Sequence, residues 1–246
     1  MPLAGKRLRG RVVSKVRRPN GGKARSPFAS VRSKLPNARL FLPTLGDDDW
    51  HDRVPLAEIR PTQMAVGMRA VEAKRQRINR IADSARKMRR FLGKRPLPAV
   101  LGPGDNYYII DHHHLSLALW QIDVEEVFVR VVGDFSDLPR LAFFSAMASL
   151  GWLHAYDVRG QKICPTRLPA TLDRLKADRY RDLAWSVRES GGFEKTHSPF
   201  SEFAWANFFR QRIPDALLSR DFELAHERAM LIARSHDARY LPGSIC

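Results

Sequence analysis

The fold is decided by a stretch near the middle of the chain, Tyr108-Ile109-Ile110-Asp111-His112-His113-His114-Leu115-Ser116-Leu117-Ala118-Leu119. An apolar run typical of a strand stops at an acid, three histidines follow, and an apolar run typical of a buried helix begins. The sequence therefore predicts a strand that turns directly into a helix. The first turn of such a helix presents unpaired backbone N–H groups and the positive end of the helix dipole, which together favour an anion.

Three interpretations of the consecutive histidines compete. In the first, the segment binds a phosphate, with His113 and His114 as acid–base groups, because the helix dipole favours neutral imidazole and a bound phosphate favours the cation. In the second, the histidines and Asp111 bind a metal, but adjacent helical side chains point about 100° apart and rarely converge on one ion. In the third, Asp111 only caps the helix and the imidazoles pack or face solvent. We favour the first and predict no metal site.

Working outward from this stretch, four strands and one long helix are predicted. The strands are Val54–Ile59, Leu97–Leu101, Tyr107–Ile110 and Val127–Val132, of which the last is apolar enough to be central. Apolar residues at three- and four-residue steps predict a helix from Met64 to Leu92, which is ended by Gly93 and carries Arg and Lys on its other face.

From Leu138 onward, helical patterns dominate. They cover Pro139 to Leu150, Ala170 to Glu189, Pro199 to Gln211 and Asp215 to His236. The expected fold class is therefore α/β (α+β), with a small mixed sheet followed by a mostly α-helical C-terminal region. The predicted domains are a basic disordered arm at 1–46, an α/β domain at 47–136 and a helical region at 137–246.

The positive charge of the chain is concentrated near its beginning. The formal net charge is +16, and residues 1–46 contain 12 Lys or Arg and no Asp or Glu, which leaves a net charge of +4 for the remainder. A basic arm can bind nucleic-acid phosphates without reading their sequence, although a solvated leader is the more frequent interpretation. No apolar run approaches the roughly 18–20 residues of a membrane helix. We expect a cytoplasmic protein with reduced cysteines at Cys164 and Cys246.

Two motifs resemble the ParB/sulfiredoxin superfamily. The segment Val54–Gln63 is similar to the opening strand of ParB-type domains, V-P-hydrophobic-x-x-I-x-P, and Ile110–Ala118 is similar to their phosphate-binding box, G-x-R-R-x-x-A. The box resembles more closely the D-G-H-H form of the ParB-like nuclease group, in which only the Gly is replaced, by His112. Further likenesses at 61–67, 199–205 and 240–243 extend the resemblance over about residues 52 to 243.

The departures from the superfamily patterns limit what the resemblance implies. Sulfiredoxins carry a catalytic cysteine in this box, and Cys164 lies far beyond it, which argues against sulfinic acid repair. Partition proteins that hydrolyse CTP carry an Arg pair where His114 and Leu115 stand. Free-serine kinases place a glutamate base near the position of Gln63, and because an amide cannot take a proton, a kinase reaction would need Glu58, Glu72 or a histidine instead.

Further candidate residues surround these motifs. Gln63 and Gly67 stand where the first helix begins, and a Gly there lets a backbone or a ligand come close. Lys195 and His197 precede a predicted helix capped by Ser198, and Glu202 lies one turn into it. The expected phosphate-binding or nucleotide-binding residues are His112, Leu115, Ser116, Gln63, Gly67, Lys195 and His197.

Together these patterns predict a ParB-like protein that binds a nucleotide or another phosphate-bearing ligand at the Asp111–His114 turn. Phosphoryl transfer or phosphodiester hydrolysis is expected, with Asp111 capping the helix and orienting an imidazole or a Mg²⁺-bound water. The residues leave open whether the chain is a nuclease, a small-molecule kinase, a phosphohydrolase or no enzyme at all. The alternative is a non-enzymatic, partition-like protein that binds DNA through residues 1–46.

Overall fold

The computed structural model describes residues 39–40 and 51–246. The arm predicted at residues 1–46 lies outside the described residues, except for Arg39–Leu40. These two residues form a short strand that pairs with Gly133 and Asp134, so this part of the predicted arm is ordered against the sheet.

A mixed six-stranded sheet organises the fold. The described residues form this sheet and a second, two-stranded one. Their strands are β1 (Arg39–Leu40), β2 (Asp52–Pro55), β3 (Ile59–Pro61), β4 (Ala65–Val66), β5 (Leu97–Gly102), β6 (Asn106–Ile109), β7 (Glu126–Asp134) and β8 (Lys176–Ala177). The main sheet has the order β1-β7-β5-β6-β3, β2 also pairs with β7, and β4 pairs with β8 separately. β7 lies between β5, which is parallel to it, and β1 and β2, which are antiparallel, so its predicted central position is confirmed.

Eight α-helices complete the described part of the chain. They are α1 (Met68–Ala82), α2 (Ala85–Gly93), α3 (His113–Trp120), α4 (Arg140–Ser149), α5 (Arg179–Glu189), α6 (Ser201–Arg210), α7 (Asp215–Arg220) and α8 (Phe222–Ala233). The predicted class, a small mixed sheet followed by a mostly helical C-terminal part, is confirmed. None of the described helices is long and apolar enough to cross a membrane.

Three predicted helices were too long, for one physical reason. The helix predicted from Met64 to Leu92 is two helices, because the Ser84 hydroxyl accepts a hydrogen bond from the Lys87 N–H and starts α2. Asp178 likewise starts α5 by accepting from the Tyr180 N–H at 2.9 Å, and Asp221 starts α8. Short polar side chains bind free N–H groups at helix starts and so interrupt a periodic pattern.

Two further helix ends differ from the prediction. Gly93 is the last residue of α2 and not the residue after it. The predicted cap Ser198 lies outside α6, whose N-cap is Phe200 with a φ of 58° and no side-chain cap.

The core has three parts, and the sheet separates two of them. α1 and α3 pack with Ile59 and Ile109 on one face of the sheet. α4 packs with Val100 and Tyr108 on the other face, since alternate strand residues point to opposite sides. The third part lies among α5, α6, α7 and α8 around the fully buried Trp205. The predicted boundaries at 46/47 and 136/137 stay predictions.

Candidate functional site

The turn between β6 and α3 is left-handed at His112. This residue has a φ of 65° and a ψ of 21° and is the N-cap of α3, without a side-chain hydrogen bond to the helix. Asp111 accepts instead from the N–H of His112, at 2.6 Å, so the prediction that Asp111 caps the helix was wrong. Glycine adopts this conformation without cost, which explains the glycine in the D-G-H-H form of the box. The first turn of α3 therefore keeps its N–H groups free of any side-chain cap.

His113 holds the end of β3 against α3. Its buried Nε2 accepts a hydrogen bond from the Thr62 N–H at 3.1 Å, and the Thr62 hydroxyl donates to the Ile109 carbonyl at 2.8 Å. Burial lowers the pKa of His113 to about 3, so the imidazole is neutral at neutral pH. Because Nε2 is an acceptor, the proton of the neutral ring lies on Nδ1.

His114 makes the equivalent contact one step further along the loop. Its Nε2 accepts from the Gly67 N–H at 3.2 Å, immediately before α1. Burial holds the pKa of His114 well below its usual value, and the Arg181 cation lowers it further. The two histidines thus fasten both ends of the loop 62–67 to α3. Their geometry is that of positioning residues, and the acid–base role expected of them stays a prediction.

Three cations from two helices and a loop lie beside the turn. Partial burial lowers the pKa of Lys74 on α1, and the positive charges of Lys195 and Arg188 lower it further, whereas Asp111 opposes them. Burial also lowers the pKa of His112, Lys74 and Lys195 act in the same direction, and Asp111 again opposes. The Nδ1 atom of His112 is buried and has no hydrogen-bond partner. We call His112, Lys74, Arg188 and Lys195 the basic cluster.

A buried arginine lies behind the basic cluster. The Arg181 side chain is only 4% exposed, and it donates to Glu202 Oε2 at 3.2 Å. Glu202 accepts from Arg188 as well, so one carboxylate is shared by two guanidinium groups. Burial lowers the pKa of Arg181 to about 10, and its Nε and Nη1 atoms have no hydrogen-bond partner. Its guanidinium lies 3.6 Å from the centroid of the Phe203 ring.

Three predicted ligand-binding side chains face inward. The buried Gln63 amide donates to the Ala65 carbonyl at 2.9 Å. Leu115 lies in the core, and the Ser116 hydroxyl donates to the His112 carbonyl at 3.0 Å. Any contact from Leu115 to a ligand would therefore come from its backbone N–H, at the start of α3.

The remaining candidates are divided between the turn and more distant surfaces. His197 lies exposed in the loop that carries Lys195. Glu72 pairs with Arg75 on the surface of α1, with 2.7 Å between Oε2 and Nε. Glu58 precedes β3 and so lies at the end of that strand opposite Thr62. The structure thus brings Lys195 and Glu202 to the turn, and it does not bring Glu58 or Glu72 there.

Three basic residues near the turn were not identified as candidates from the sequence. Lys74 was one of nine basic residues on a predicted helix face, and no local signal distinguished it. Arg181 and Arg188 lie in a helix whose pattern gave no hint of a site. Among residues 51–246, no group of three or more His, Cys, Asp or Glu side chains is arranged to hold a metal.

The strand-to-helix turn, with its acid and two histidines beside a mixed sheet, defines a ParB-like domain. The sequence model of the family described as "Putative ParB-like nuclease" matches residues 52–211, and this chain belongs to that family. The resemblance inferred from the motifs is therefore confirmed. The crystal structure of protein Atu1540 from Agrobacterium tumefaciens is similar, with a TM-score of 0.72 and 39% sequence identity over 79% of this chain and 97% of that chain. No curated protein matches the chain significantly.

Proposed function

We propose that this protein binds a phosphate-bearing ligand at the start of α3 and catalyses phosphodiester hydrolysis or phosphoryl transfer there. The ligand is a nucleotide or a nucleic-acid phosphate, in line with the nucleic-acid-related function that the ParB-like nuclease family implies. One observation carries the proposal. The uncapped N-terminus of α3 lies beside the three cations of the basic cluster. Burial lowers the pKa of Lys74, and the positive charges of Lys195 and Arg188 lower it further.

Electrostatics explains why a phosphate suits this place. Free N–H groups at a helix start and nearby ammonium and guanidinium groups all stabilise an anion. A bound phosphate would offset the repulsion among Lys74, Arg188 and Lys195. It would thereby raise the pKa of Lys74. The buried, unpartnered Nδ1 of His112 supplies a further polar group at the same place.

The catalytic assignment follows from which groups can reach a ligand. Asp111 is exposed, and His112 stands beside it at the helix start. A neutral histidine with a pKa near 3 is a weak base at neutral pH, so His113 suits a positioning role better than proton transfer. Glu202 is engaged by Arg181 and Arg188, which leaves Asp111 as the carboxylate that would contact Mg²⁺ at this turn. Because one carboxylate holds Mg²⁺ only together with substrate phosphates, the ion would arrive bound to a nucleotide.

Thermal unfolding in the presence of ATP, ADP, CTP and phosphate, with and without Mg²⁺, tests the binding. We expect at least one of these ligands to stabilise the native chain. Lys74→Ala and Lys195→Ala should each weaken its binding by about tenfold or more, since each removes a charge-assisted contact. Lys94→Ala is the matched control, because this exposed lysine ends α2 away from the turn. Full stabilisation in both cluster variants, or none in the native chain, would refute the proposal.

Hydrolysis is tested separately with labelled single-stranded and double-stranded DNA and RNA. Asp111→Asn should lose turnover while it retains ligand-induced stabilisation, because the amide cannot accept a proton. An Asp111→Asn variant with undiminished turnover would remove Asp111 from the catalytic assignment.

A second candidate function, DNA association without catalysis, is supported by α2. Arg86, Lys87, Arg89 and Arg90 are exposed on this helix, and Ala85–Gly93 contains no acid. Deleting residues 1–46 should lower DNA affinity and its salt dependence if the arm contributes. An Arg86→Glu/Arg89→Glu variant should weaken DNA binding further. DNA affinity unchanged in both would refute this candidate and would leave the nucleotide proposal untouched.

A further inference from the structure

A cavity of about 260 Å³ lies on the face of the sheet opposite α1 and α3. β3, β6, α4 and the segment 165–170 form it. Its lining includes Arg60, Tyr108, Arg140, Phe144, Pro165 and Leu168. Tyr108 packs with the α4 part of the core, whereas the next residue, Ile109, packs with α1 and α3. The cavity is therefore separate from the turn at His112, which lies on the α3 side.

Two guanidinium groups face this cavity, and neither is paired with a carboxylate of the described residues. Arg60 donates from Nε to Asn106 Oδ1 at 3.2 Å and from Nη1 to the Ala170 carbonyl, both of which are neutral acceptors. Arg140 lies with its guanidinium carbon 5.8 Å from the centroid of the Phe144 ring. Within residues 51–246, neither arginine forms an ion pair. Unpaired guanidinium groups beside a concave surface favour an anionic ligand, and phosphate in particular.

Aromatic side chains and prolines form the apolar wall of the cavity. The Tyr108 ring lies 4.6 Å from the Phe143 ring and 6.3 Å from the Phe144 ring, measured between centroids. A Cβ atom on Gly102 would lie 2.7 Å from Tyr108 Cε2 and 2.8 Å from Phe143, so only glycine permits this close packing. Burial raises the pKa of Tyr108, and the cations of Arg140 and Arg60 oppose this shift, which places both cations near its hydroxyl.

We propose that this cavity binds a single nucleotide unit, either a free mononucleotide or one residue of a single-stranded nucleic acid. The phosphate would contact Arg140 and Arg60, and the base would lie against the wall of Tyr108, Phe144 and the prolines. Aromatic surfaces next to cations are how proteins bind unpaired bases without reading sequence. The volume lies just below the roughly 300–1,000 Å³ of typical ligand pockets, so it is closer in size to one nucleotide than to a dinucleotide.

Cys164 offers a local reporter for this cavity. It is exposed and directly precedes the lining residue Pro165. The hydrogen bond with Thr166 lowers the pKa of the thiol, and the cations of Arg167 and Arg140 lower it further, which places the thiol near Arg140. The other cysteine is Cys246, so a Cys246→Ser chain has a single thiol, at the rim of the cavity.

The experiment measures the rate at which iodoacetamide alkylates Cys164 in the full-length Cys246→Ser chain. The ligands are AMP, UMP, adenosine, inorganic phosphate and a short single-stranded oligothymidylate. We expect AMP and UMP, or the oligothymidylate, to slow alkylation in a saturable manner, and adenosine and phosphate to have much less effect. Protection by the oligomer but not by mononucleotides would assign the site to nucleic acid, and the reverse pattern would assign it to free nucleotides.

Matched variants separate this cavity from the α3 site. Arg140→Ala should weaken protection by about tenfold or more, since it removes a charge-assisted contact. Arg159→Ala, at an exposed arginine outside the cavity lining, and Lys74→Ala, in the basic cluster, should leave protection unchanged. Protection lost in Lys74→Ala but kept in Arg140→Ala would overturn the cavity proposal while supporting the α3 site. No protection by any nucleotide, or equal protection by phosphate, would also overturn it.

Discussion

At the scale of single residues, His112 is the most informative position. The ParB-like box has glycine here because the turn requires a left-handed backbone, and this chain retains that conformation, with a φ of 65°, in spite of a side chain. Such a conformation costs a non-glycine residue about 1 kcal/mol. A strained residue beside unpaired helix N–H groups is consistent with a contribution of its imidazole to ligand binding.

Replacing His112 with glycine separates these two effects. We expect His112→Gly to leave the free energy of unfolding unchanged or to raise it by up to about 1 kcal/mol, because the strain is relieved. The same variant should bind the phosphate ligand more weakly, because Nδ1 is lost. Urea denaturation and ligand titration measure the two quantities. A variant that unfolds more easily but binds normally would give His112 a purely structural role.

Glu202 is the second residue whose role follows from its contacts. It pairs with Arg181, which is 4% exposed, and with Arg188. We expect Glu202→Ala to lower the free energy of unfolding by about 3 kcal/mol, because a buried cation loses its carboxylate. Glu189→Ala is the control, since Glu189 pairs with Arg188 at the surface and should cost less than about 1 kcal/mol. If urea denaturation shows that Glu202→Ala and Glu189→Ala lower the free energy of unfolding equally, the expected difference between the two ion pairs is contradicted.

At the scale of elements, the start of α1 is held by two other helices. Gly67, its N-cap, donates to His114 of α3, and the Arg69 N–H donates to Asp182 Oδ1 of α5 at 2.6 Å. α1 has no cap from its own side chains. Its first turn is therefore stabilised by long-range contacts, and these also place Lys74 beside α3 and α5.

A methyl group at Gly67 tests this arrangement. The added Cβ would lie 2.9 Å from Asp182 Oδ1 and 3.1 Å from the backbone carbon of Arg181. We expect Gly67→Ala to destabilise the fold by about 1–3 kcal/mol and to weaken ligand binding, because α1 and α5 must separate. Gly93→Ala, with no atom within 4 Å of the new Cβ, should stabilise α2 by about 0.5–1 kcal/mol. Thermal or urea unfolding measures the stability of both variants. A Gly67→Ala variant as stable as the native chain would argue against close packing of α1 and α5 at this position.

The sequence patterns predicted which secondary-structure elements are present better than they predicted the residues at which each element begins and ends. The strands predicted at 97–101, 107–110 and 127–132 were located because glycine, proline and turn residues bound them, and the central position of β7 followed from its uninterrupted apolar run. The single strand predicted from Val54 to Ile59 was wrong, because a 3-10 turn at Leu56–Glu58 separates β2 from β3, and these two strands pair with different partners. The helix breaks at Ser84, Asp178 and Asp221 were missed, because each cap lies inside a pattern whose apolar period continues across it. Periodicity shows which residues are buried and does not show where the N–H groups find their acceptors.

At the scale of the whole molecule, buried neutral histidines link stability to pH. Burial lowers the pKa of His113 and of His154 to about 3, and that of His114 falls well below 6.5. In the unfolded chain these imidazoles bind protons near pH 6.5, so acidification favours unfolding between about pH 6.5 and pH 3. Burial raises the pKa of Asp182 to about 6, which acts in the opposite direction below that pH because the folded chain binds the proton first.

We expect the free energy of unfolding to fall as the pH is lowered from about 7 to 4. Each histidine with a pKa near 3 contributes about 1.4 kcal/mol per pH unit below its unfolded pKa. His154→Phe should flatten this slope, since phenylalanine can keep the ring contact with Phe203, whose centroid lies 3.5 Å from that of the imidazole, but cannot titrate. Urea denaturation at several pH values measures the slopes. An unchanged slope in His154→Phe would mean that His154 is protonated in the folded state.

The sequence by itself determined the family, the α/β class and the position of the strand-to-helix turn, because these depend on local patterns that neighbouring residues carry. The tertiary structure decided what surrounds that turn. Lys74, Arg188 and Lys195 come from separate elements, and His113 and His114 accept hydrogen bonds from a loop about 50 residues earlier in the chain. Long-range packing sets burial and hydrogen-bond direction. It therefore decided that His113 and His114 accept hydrogen bonds from the loop 62–67. It also brought Lys74 and Arg188, which no local pattern indicated, to the same turn as the predicted residues His112 and Lys195.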